Sequence, residues 1–223
     1  MFNKIKNFLR KFKLWRIILY KLKSEYSIYK QFNFLNSNSV FIDLGANVGN
    51  VSEIINDSYG CKIICYEPHP GAFKILNKRF DKYDNIILYN LAISNETSTT
   101  NLFLHKETNL SNLDETILSE ASSLDNKKTN IDDKKKIKIS TVDIKEVINS
   151  FNYIDCIKID IEGFEYKILP TIFKNKKKIG KVFCEFHGNK LIKKSNSHLN
   201  KSYLDTMEYI KNNHLEDWIF IWI

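Results

Sequence analysis

The sequence predicts an α/β protein with a mostly parallel sheet and helices on both faces. Short apolar runs alternate along the chain with amphipathic segments of helical length, which is the pattern of repeated βαβ units. The apolar runs are nearly uninterrupted, as expected for strands that are buried on both faces of a sheet. Polar residues cluster where these runs end, so chemistry is expected at the carboxyl ends of the strands.

The elements follow one another in a regular order. Predicted strands cover residues 39–45, 61–68, 85–94, 136–140, 153–163, 180–188 and 217–223. Predicted helices cover residues 50–57, 71–82, 141–150, 164–175 and 202–213. Residues 95–135 are rich in Ser, Thr, Asn, Asp and Lys and predict a long loop, with at most a short hairpin around residues 101–105.

The composition is that of a soluble globular protein, since 43% of the 223 residues are hydrophobic and 27% are charged. No run of about 18 uncharged apolar residues occurs, which excludes a classical membrane span. Lys and Arg interrupt the apolar stretches near the N-terminus, which disfavours a secretory signal. Four cysteines lie in strand-like runs without zinc spacing, so buried reduced thiols in a cytoplasmic protein are expected: Cys61, Cys65, Cys156 and Cys184.

Residues 1–30 differ from the rest of the chain in charge. They hold nine Lys or Arg and one acid, so this segment alone accounts for the net charge of +8. The pattern predicts residues 1–36 as a basic amphipathic helical extension and residues 37–223 as one domain. Such a helix can dock on its own domain or lie on an anionic membrane surface. Nucleic acid is disfavoured because the remainder is balanced in charge. Apolar side chains recur every three to four residues, at Ile5, Phe8, Phe12, Trp15, Leu19 and Leu22.

A glycine turn follows the first predicted strand. Only seven glycines occur in the chain, and Gly45 and Gly49 bound this turn. Glycine permits positive φ and lets a ligand approach the backbone closely. Glu67 ends the second strand, where an acid accepts hydrogen bonds from ribose hydroxyls. A nucleoside-containing cofactor is therefore expected, the alternative being a tight turn without a ligand. Asp43 would repel a pyrophosphate and suits an ammonium group, which favours S-adenosylmethionine over a dinucleotide.

Six motifs stand in order over about residues 40–188: FIDLGANVGNVS, CYEPHPGAFKIL, NIILYNLAIS, STVD, IKIDIEGFEYKIL and VFCEFHG. As a set they resemble the FkbM family of S-adenosylmethionine-dependent methyltransferases. The resemblance implies the class I Rossmann-like methyltransferase fold and methyl transfer to a hydroxyl oxygen. Family members act on natural products such as macrolides, on sugars of surface glycans and on other small acceptors. The polar region at residues 95–135, where an acceptor pocket would be built, is poorly matched.

The resemblance also implies roles for individual residues. Lys158, Asp160 and Glu162 match the KxDxEG motif of the family, with Asp160 directed at the methionine part or the reacting centre. Lys158, Asp160, Glu185 and His187 are the expected catalytic residues, and the last three are candidates for the general base. A divalent metal held by these three is an alternative, but no strict ligand spacing supports it. Cofactor contacts are expected at Asp43, Gly45, Ala46, Asn47, Gly49, Glu67, Pro68, Asn90, Ala92 and Asp160.

The same residues have structural alternatives. Asp43 and Asp160 could cap the helices that follow them. Lys158 could face solvent or pair with an acid, and the backbone could satisfy His187. Two acids near the start of the next helix could serve only its dipole: Glu162 and Glu165.

The function expected from these patterns is O-methylation of a sugar hydroxyl in a cytoplasmic glycan or glycolipid precursor. Peripheral contact of residues 1–30 with the inner membrane surface would suit a lipid-linked acceptor. The alternatives are a methyltransferase for a protein, an RNA or a natural product, and a non-catalytic Rossmann-like binding module. An NAD-linked oxidoreductase is disfavoured because the third glycine of GxGxxG and a Tyr-x-x-x-Lys pair are missing.

Overall fold

The computed structural model describes residues 30–108, 122–188 and 198–222. The chain divides into two units between Asn36 and Ser37. In the described part of the first unit, a 3-10 helix covers Lys30–Phe32, and the amide of Leu35 donates to the carbonyl of Phe32 at 2.9 Å. The predicted N-terminal amphipathic helix lies, up to residue 29, outside the described residues.

Strands and helices of the second unit alternate along the chain. The described strands are β1 (Val40–Leu44), β2 (Lys62–Tyr66), β3 (Ile86–Tyr89), β4 (Ala92–Ser94), β5 (Thr99–His105), β6 (Ile131–Asp143), β7 (Ile154–Ile159), β8 (Ile179–Glu185) and β9 (Ile219–Trp222). The described helices are α1 (Asn50–Tyr59), α2 (Pro70–Phe80), α3 (Ile144–Asn149), α4 (Glu165–Lys174) and α5 (Asn200–Asn212), with a 3-10 turn at Lys176–Lys178. No helix among the described residues is both long enough and apolar enough to cross a membrane.

Six strands form the main sheet in the order β3-β2-β1-β7-β8-β9, and every neighbouring pair is parallel. This is a doubly wound order in which the chain moves outward from β1 on one side and returns to pair β7 on the other. It confirms the predicted Rossmann-like class. The order reverses between β1 and β7, so a ligand site is expected outside the carboxyl ends of these two strands.

The central strands are buried because both sheet faces are covered. Every residue of β7 except Asp155 is buried, and β1 is buried from Phe41 to Leu44. One apolar cluster joins these strands to α3, α4 and α5, and its members include Ile144, Ile168 and Ile210. The four cysteines are free and buried, as the sequence predicts.

A second sheet contains part of the region predicted as a long loop at residues 95–135. It has three strands in the order β4-β6-β5, with β5 antiparallel to β6 and β4 parallel to it. β5 covers the place of the short hairpin allowed around residues 101–105, and β6 extends the strand predicted at residues 136–140 back to Ile131. The loop prediction was wrong for residues 131–135, where β6 carries a run of charged residues. The third predicted strand is also divided, since β3 belongs to the main sheet and β4 to the second sheet.

Candidate active site

The glycine turn lies at the predicted strand end and is shaped by the protein's own packing. Gly45 has a φ of 78°, and a Cβ at this position would lie 1.9 Å from the carbonyl oxygen of Asp160. Gly49 has a φ of 84°, and a Cβ there would lie 2.4 Å from the ring of Phe80. The amides of Gly45 and Ala46 both donate to the carbonyl of Tyr66 at 3.0 Å. Both glycines are therefore required by close approaches within the chain, whatever ligand the turn binds.

Asp43 and Lys158 form a buried ion pair beside this turn. They are register partners on the parallel strands β1 and β7, so their side chains leave the same face of the sheet. The Nζ of Lys158 lies 3.0 Å from Oδ1 of Asp43 and donates to the carbonyl of Gly45 at 2.9 Å. Ser52, on α1, donates to the other oxygen of Asp43 at 2.7 Å. Asp43 thus holds Lys158, the turn and α1 together, and it caps no helix.

Glu67 follows β2 and ties the glycine turn to the next loop. Its two carboxylate oxygens accept hydrogen bonds from the amides of Asn47 at 2.8 Å and His69 at 2.7 Å. Burial raises the pKa of Glu67 to about 7, although these two amides act in the opposite direction. Each oxygen keeps a further lone pair for another donor. A ligand diol that donates to them would stabilise the ionised form.

Two residues with expected cofactor contacts, Asn90 and Ala92, follow β3 along the chain. The side-chain nitrogen Nδ2 of Asn90 donates to the backbone carbonyls of Glu67 at 2.8 Å and Pro68 at 3.2 Å. Ala92 begins β4 and is buried in the small core of the second sheet. Asn90 therefore fixes the loop that carries Glu67, whereas Ala92 packs in the core of the second sheet.

Asp160 stands at the end of β7, next to the glycine turn. Its carboxylate lies 3.8 Å from the Nζ of Lys158 and is 29% exposed. Burial is the largest cause that raises the pKa of Asp160 to about 7; Lys158 opposes the rise, and Glu185 adds to it. Near neutral pH this group is divided between its acidic and basic forms, as a general base requires.

His187 lies behind Asp160, fully buried between two acids. Its Nε2 is 3.3 Å from Glu162, and its Nδ1 is 3.3 Å from Glu165. Burial opposes a charge on the ring, but Glu162 and Glu165 together raise the pKa of His187 to about 10. The imidazole therefore holds its proton at neutral pH. Tyr166 donates to the backbone carbonyl of the same residue.

Glu162 connects His187 to a part of the chain outside the main sheet. The Nζ of Lys128 lies 2.6 Å from Oε2 of Glu162, and the hydroxyl of Ser123 donates to the Glu162 carbonyl at 2.7 Å. Burial by itself would raise the pKa of Glu162, but His187 and then Lys128 lower it to about 2. Glu162 is thus a permanent anion between two cations.

Three ligand atoms suited to a divalent cation lie within 4.8 Å of one another, from Asp160, Glu185 and His187. Both ring nitrogens of His187 face carboxylates, however, and the ring would have to release its proton before it could bind a metal. In the structure the two ring nitrogens are instead paired with Glu162 and Glu165.

The structure thus brings most of the predicted residues to one edge, at the ends of β1, β2, β7 and β8. Lys158 forms an ion pair with Asp43 and does not face solvent. Glu165 is fully buried, and its carboxylate accepts the amides of Gly163 at 2.8 Å and His187 at 2.7 Å, so it does more than favour a helix dipole. Two residues that contact the site were not predicted from the sequence: Ser52 and Lys128. The spacing of Ser52, three residues after Gly49, could have signalled its approach to the turn.

The donor set fits S-adenosylmethionine. The buried Glu67 carboxylate has capacity for ribose hydroxyls, and the amide of Asn47 fixes it beside the glycine turn. The accessible charges at the neighbouring strand ends are carboxylates, at Asp160 and Glu185. Negative charge there complements the positive sulfonium and ammonium of this molecule.

Comparisons with known proteins give local matches to two solved structures. "Crystal structure of P. horikoshii TYW2 in complex with MeSAdo" matches with a TM-score of 0.27 and 22% identity, over 29% of this chain and 25% of that one. "Crystal structure of MccD protein" matches with a TM-score of 0.26 and 17% identity, over 28% of this chain and 29% of that one. The match spans about a quarter of the length of the first of these proteins. No curated protein matches the sequence.

A match over most of the chain comes from comparison with models of protein families. The sequence model described as "Methyltransferase FkbM domain" matches residues 43–214, which is well over half of the chain. The matched region runs from Asp43, past the glycine turn, Glu67 and the acids after β7, to residue 214, two residues beyond the end of α5. The chain belongs to the FkbM family of methyltransferase domains.

Proposed function

We propose that this protein transfers a methyl group from S-adenosylmethionine to a hydroxyl oxygen of a small acceptor, a sugar of a surface glycan or glycolipid precursor. Family membership supports methyl transfer. The observation that carries the choice of a hydroxyl acceptor is Asp160, a partly exposed carboxylate at the end of β7 with a pKa raised to about 7.

The cofactor side of the site is assigned to β1 and β2. S-adenosylmethionine supplies an activated methyl group on a positive sulfur. Glu67 accepts hydrogen bonds from its ribose hydroxyls, and the turn from Gly45 to Gly49 borders the methionine part. Asp43 keeps Lys158 in place beneath this turn. Together these contacts align the methyl donor with the acceptor. Such alignment provides a large part of the rate enhancement in methyl transfer.

The acceptor side is assigned to β7 and β8. As the acceptor oxygen gains the methyl group, its proton passes to a carboxylate oxygen of Asp160. Glu185 lies nearby and is the second candidate for this role. His187 holds a proton of its own, so it acts as a fixed positive charge and not as the base.

The choice of a neutral sugar follows from which charges are accessible. The side chains of Asp160 and Glu185 are 29% and 16% exposed, while those of Lys158, Lys128 and His187 are at most 3% exposed. Carboxylates accept hydrogen bonds from hydroxyl groups and repel phosphates and acids. The edge therefore suits an uncharged, hydroxyl-rich acceptor.

The test measures release of S-adenosylhomocysteine by the full chain with a panel of neutral sugars, sugar nucleotides and lipid-linked sugars. We expect sugar-dependent release, and in Asp160→Asn a fall in kcat of about 100-fold or more with unchanged affinity for S-adenosylhomocysteine. The sign of the pH dependence follows from the base role: kcat/KM rises with pH and levels off above about 7. Asp160→Glu keeps the charge and is the matched control.

Three outcomes would contradict the proposal. Full activity in Asp160→Asn would remove the base assignment. Release only with a protein, an RNA or a natural product would replace the sugar by that acceptor. Tight binding of S-adenosylhomocysteine without transfer to any acceptor would favour a non-catalytic binding module.

We further propose that residues 1–30 hold the protein on the cytoplasmic face of a membrane, near a lipid-linked acceptor. The support is their basic charge and apolar periodicity. In flotation with vesicles containing anionic lipid, the full chain should float and a chain lacking residues 1–30 should not. Equal flotation of the two would contradict this location.

A further inference from the structure

We propose that Lys128 is a positioning residue of the methyl-transfer site: its ammonium fixes the carboxylate of Glu162, which in turn holds His187 beside the acceptor carboxylates. Lys128 lies in the loop that precedes β6 of the second sheet, and not at the strand ends of the main sheet. This inference rests on the proposed function. It adds a residue from outside the sheet edge on which the other site residues lie.

The burial of Lys128 shows that its charge serves an interior contact. Its side chain is 1% exposed, and its Nζ lies 2.6 Å from Oε2 of Glu162. An ammonium in such a place is costly unless it is paired, and loss of one partner leaves the other charge buried and less well compensated. A lysine that bound the acceptor directly would need an accessible ammonium group.

The backbone of Glu162 also needs support. Its φ is 56°, in the left-handed region that favours glycine, and Gly163 follows with a φ of 106°. Such a conformation is unfavourable for a non-glycine residue and persists where surrounding contacts determine it. The hydroxyl of Ser123 donates to the carbonyl of this residue at 2.7 Å. The segment that carries Ser123 and Lys128 therefore holds both the main chain and the side chain of Glu162.

The effect reaches the reacting edge through His187. Glu162 lies 3.3 Å from Nε2 of His187, and the same nitrogen is 4.0 Å from Oε1 of Glu185. If Lys128 is removed, Glu162 can leave the strained geometry in which it meets the imidazolium. The orientation of the charges next to the acceptor then changes, while the turn at Gly45 is not touched.

A double-mutant cycle tests this chain of contacts. Lys128→Met, Glu162→Gln and the double variant are compared in the full chain for kcat, KM of the sugar and affinity for S-adenosylhomocysteine. We expect Lys128→Met to lower kcat about 10- to 100-fold, because small displacements of positioned groups have effects of this size. KM and the S-adenosylhomocysteine affinity should stay unchanged. The double variant should be no slower than Glu162→Gln, since Lys128 acts through Glu162.

Two further variants serve as controls. Lys127→Met removes an exposed neighbouring charge and should leave kcat unchanged. Lys128→Arg keeps the charge, should recover part of the activity, and provides a measurable protein if Lys128→Met does not fold. Losses that add in the double variant, or a change in KM without a change in kcat, would overturn the proposal.

A spectroscopic readout separates this inference from the proposed function. The imidazole ¹⁵N signals of His187 can be assigned by their disappearance in His187→Gln. They should shift in Lys128→Met and stay in place in Lys127→Met; unshifted signals in Lys128→Met would overturn the inference. Because this measurement needs no substrate, absence of turnover in the wild-type protein would count against the proposed function alone.

Discussion

The cofactor edge, at the ends of β1 and β2, and the acceptor edge, at the ends of β7 and β8, are held in different ways. At the cofactor edge, backbone amides of the glycine turn donate to Tyr66 and Glu67 over short sequence distances. At the acceptor edge, side-chain charges from three separate elements meet at Glu162 and His187. A glycine motif supplies most of the hydrogen bonds of the first kind of edge, although Lys158 and the carbonyl of Asp160 pack against it from β7. The second depends on charges that the fold alone brings together.

The largest expected effect is a loss of stability. It distinguishes two reasons why a position requires glycine, namely the close approach of another group and backbone strain. Gly45→Ala should lower the free energy of unfolding by about 4 kcal/mol or more and abolish binding of S-adenosylhomocysteine, because its Cβ would meet the carbonyl of Asp160. Gly60→Ala is the matched control: its φ is also positive, at 60°, but a Cβ there meets nothing within 4 Å. It should cost about 1 kcal/mol. Urea unfolding measures both, and equal losses would mean that strain, not packing, requires Gly45.

Glu67 at the cofactor edge and Glu162 at the acceptor edge should also respond to pH in opposite ways. Burial raises the pKa of Glu67 in the folded state to about 7, so its contribution to stability falls as the pH rises from about 4.5 to 7. Glu162 has a lowered pKa of about 2 after burial is outweighed by His187 and Lys128, so its contribution is present above about 4.5 and is lost only in acid.

Unfolding of the two amide variants at pH 5 and pH 8 measures this difference. Relative to the wild type, Glu67→Gln should gain about 2 kcal/mol of stability between the two pH values, while Glu162→Gln should be destabilised by a similar amount at both. Glu216→Gln, at an exposed position, controls for the loss of a surface charge. A Glu67→Gln difference that does not change with pH would mean that the ionised carboxylate is well stabilised in the folded protein.

The smallest expected effect concerns ligand affinity. Glu67→Gln should weaken binding of S-adenosylhomocysteine about tenfold, because a hydrogen bond to a charged acceptor becomes one to a neutral acceptor. Glu162→Gln should leave this affinity unchanged. Calorimetric titration measures both variants. A matched loss in the two would show that the edges form one coupled site and not two.

The sequence predicted the main sheet well because its strands are buried on both faces and therefore appear as apolar runs. The second sheet was predicted only in part. Residues 136–140 were predicted as a strand, but β6 begins at Ile131, and β5 lies where at most a short hairpin was expected. The first half of β6 contains Asp132, Asp133 and three consecutive lysines, so its composition resembles that of a loop.

The candidate site shows the same division between local and distant determinants. The positions of Gly45 and Glu67 follow from a local strand–turn–helix pattern, and the structure places them together. The role of Lys128 could not be predicted, because nothing near it in the sequence distinguishes it from the other lysines of a polar region. Its partner Glu162 is 34 residues away, and only the second sheet brings the two together.

The central position of β1 has a consequence for biosynthesis. Its neighbour β7 begins more than a hundred residues later, and the amide of Val40 donates to Asp155 across 115 residues. A nascent chain that has exposed the glycine motif therefore still lacks the lysine and the carbonyl that the motif packs against. We therefore expect β7 to be needed before the first half of the molecule can form a binding site, so that a chain ending before β7 should not bind the methyl donor.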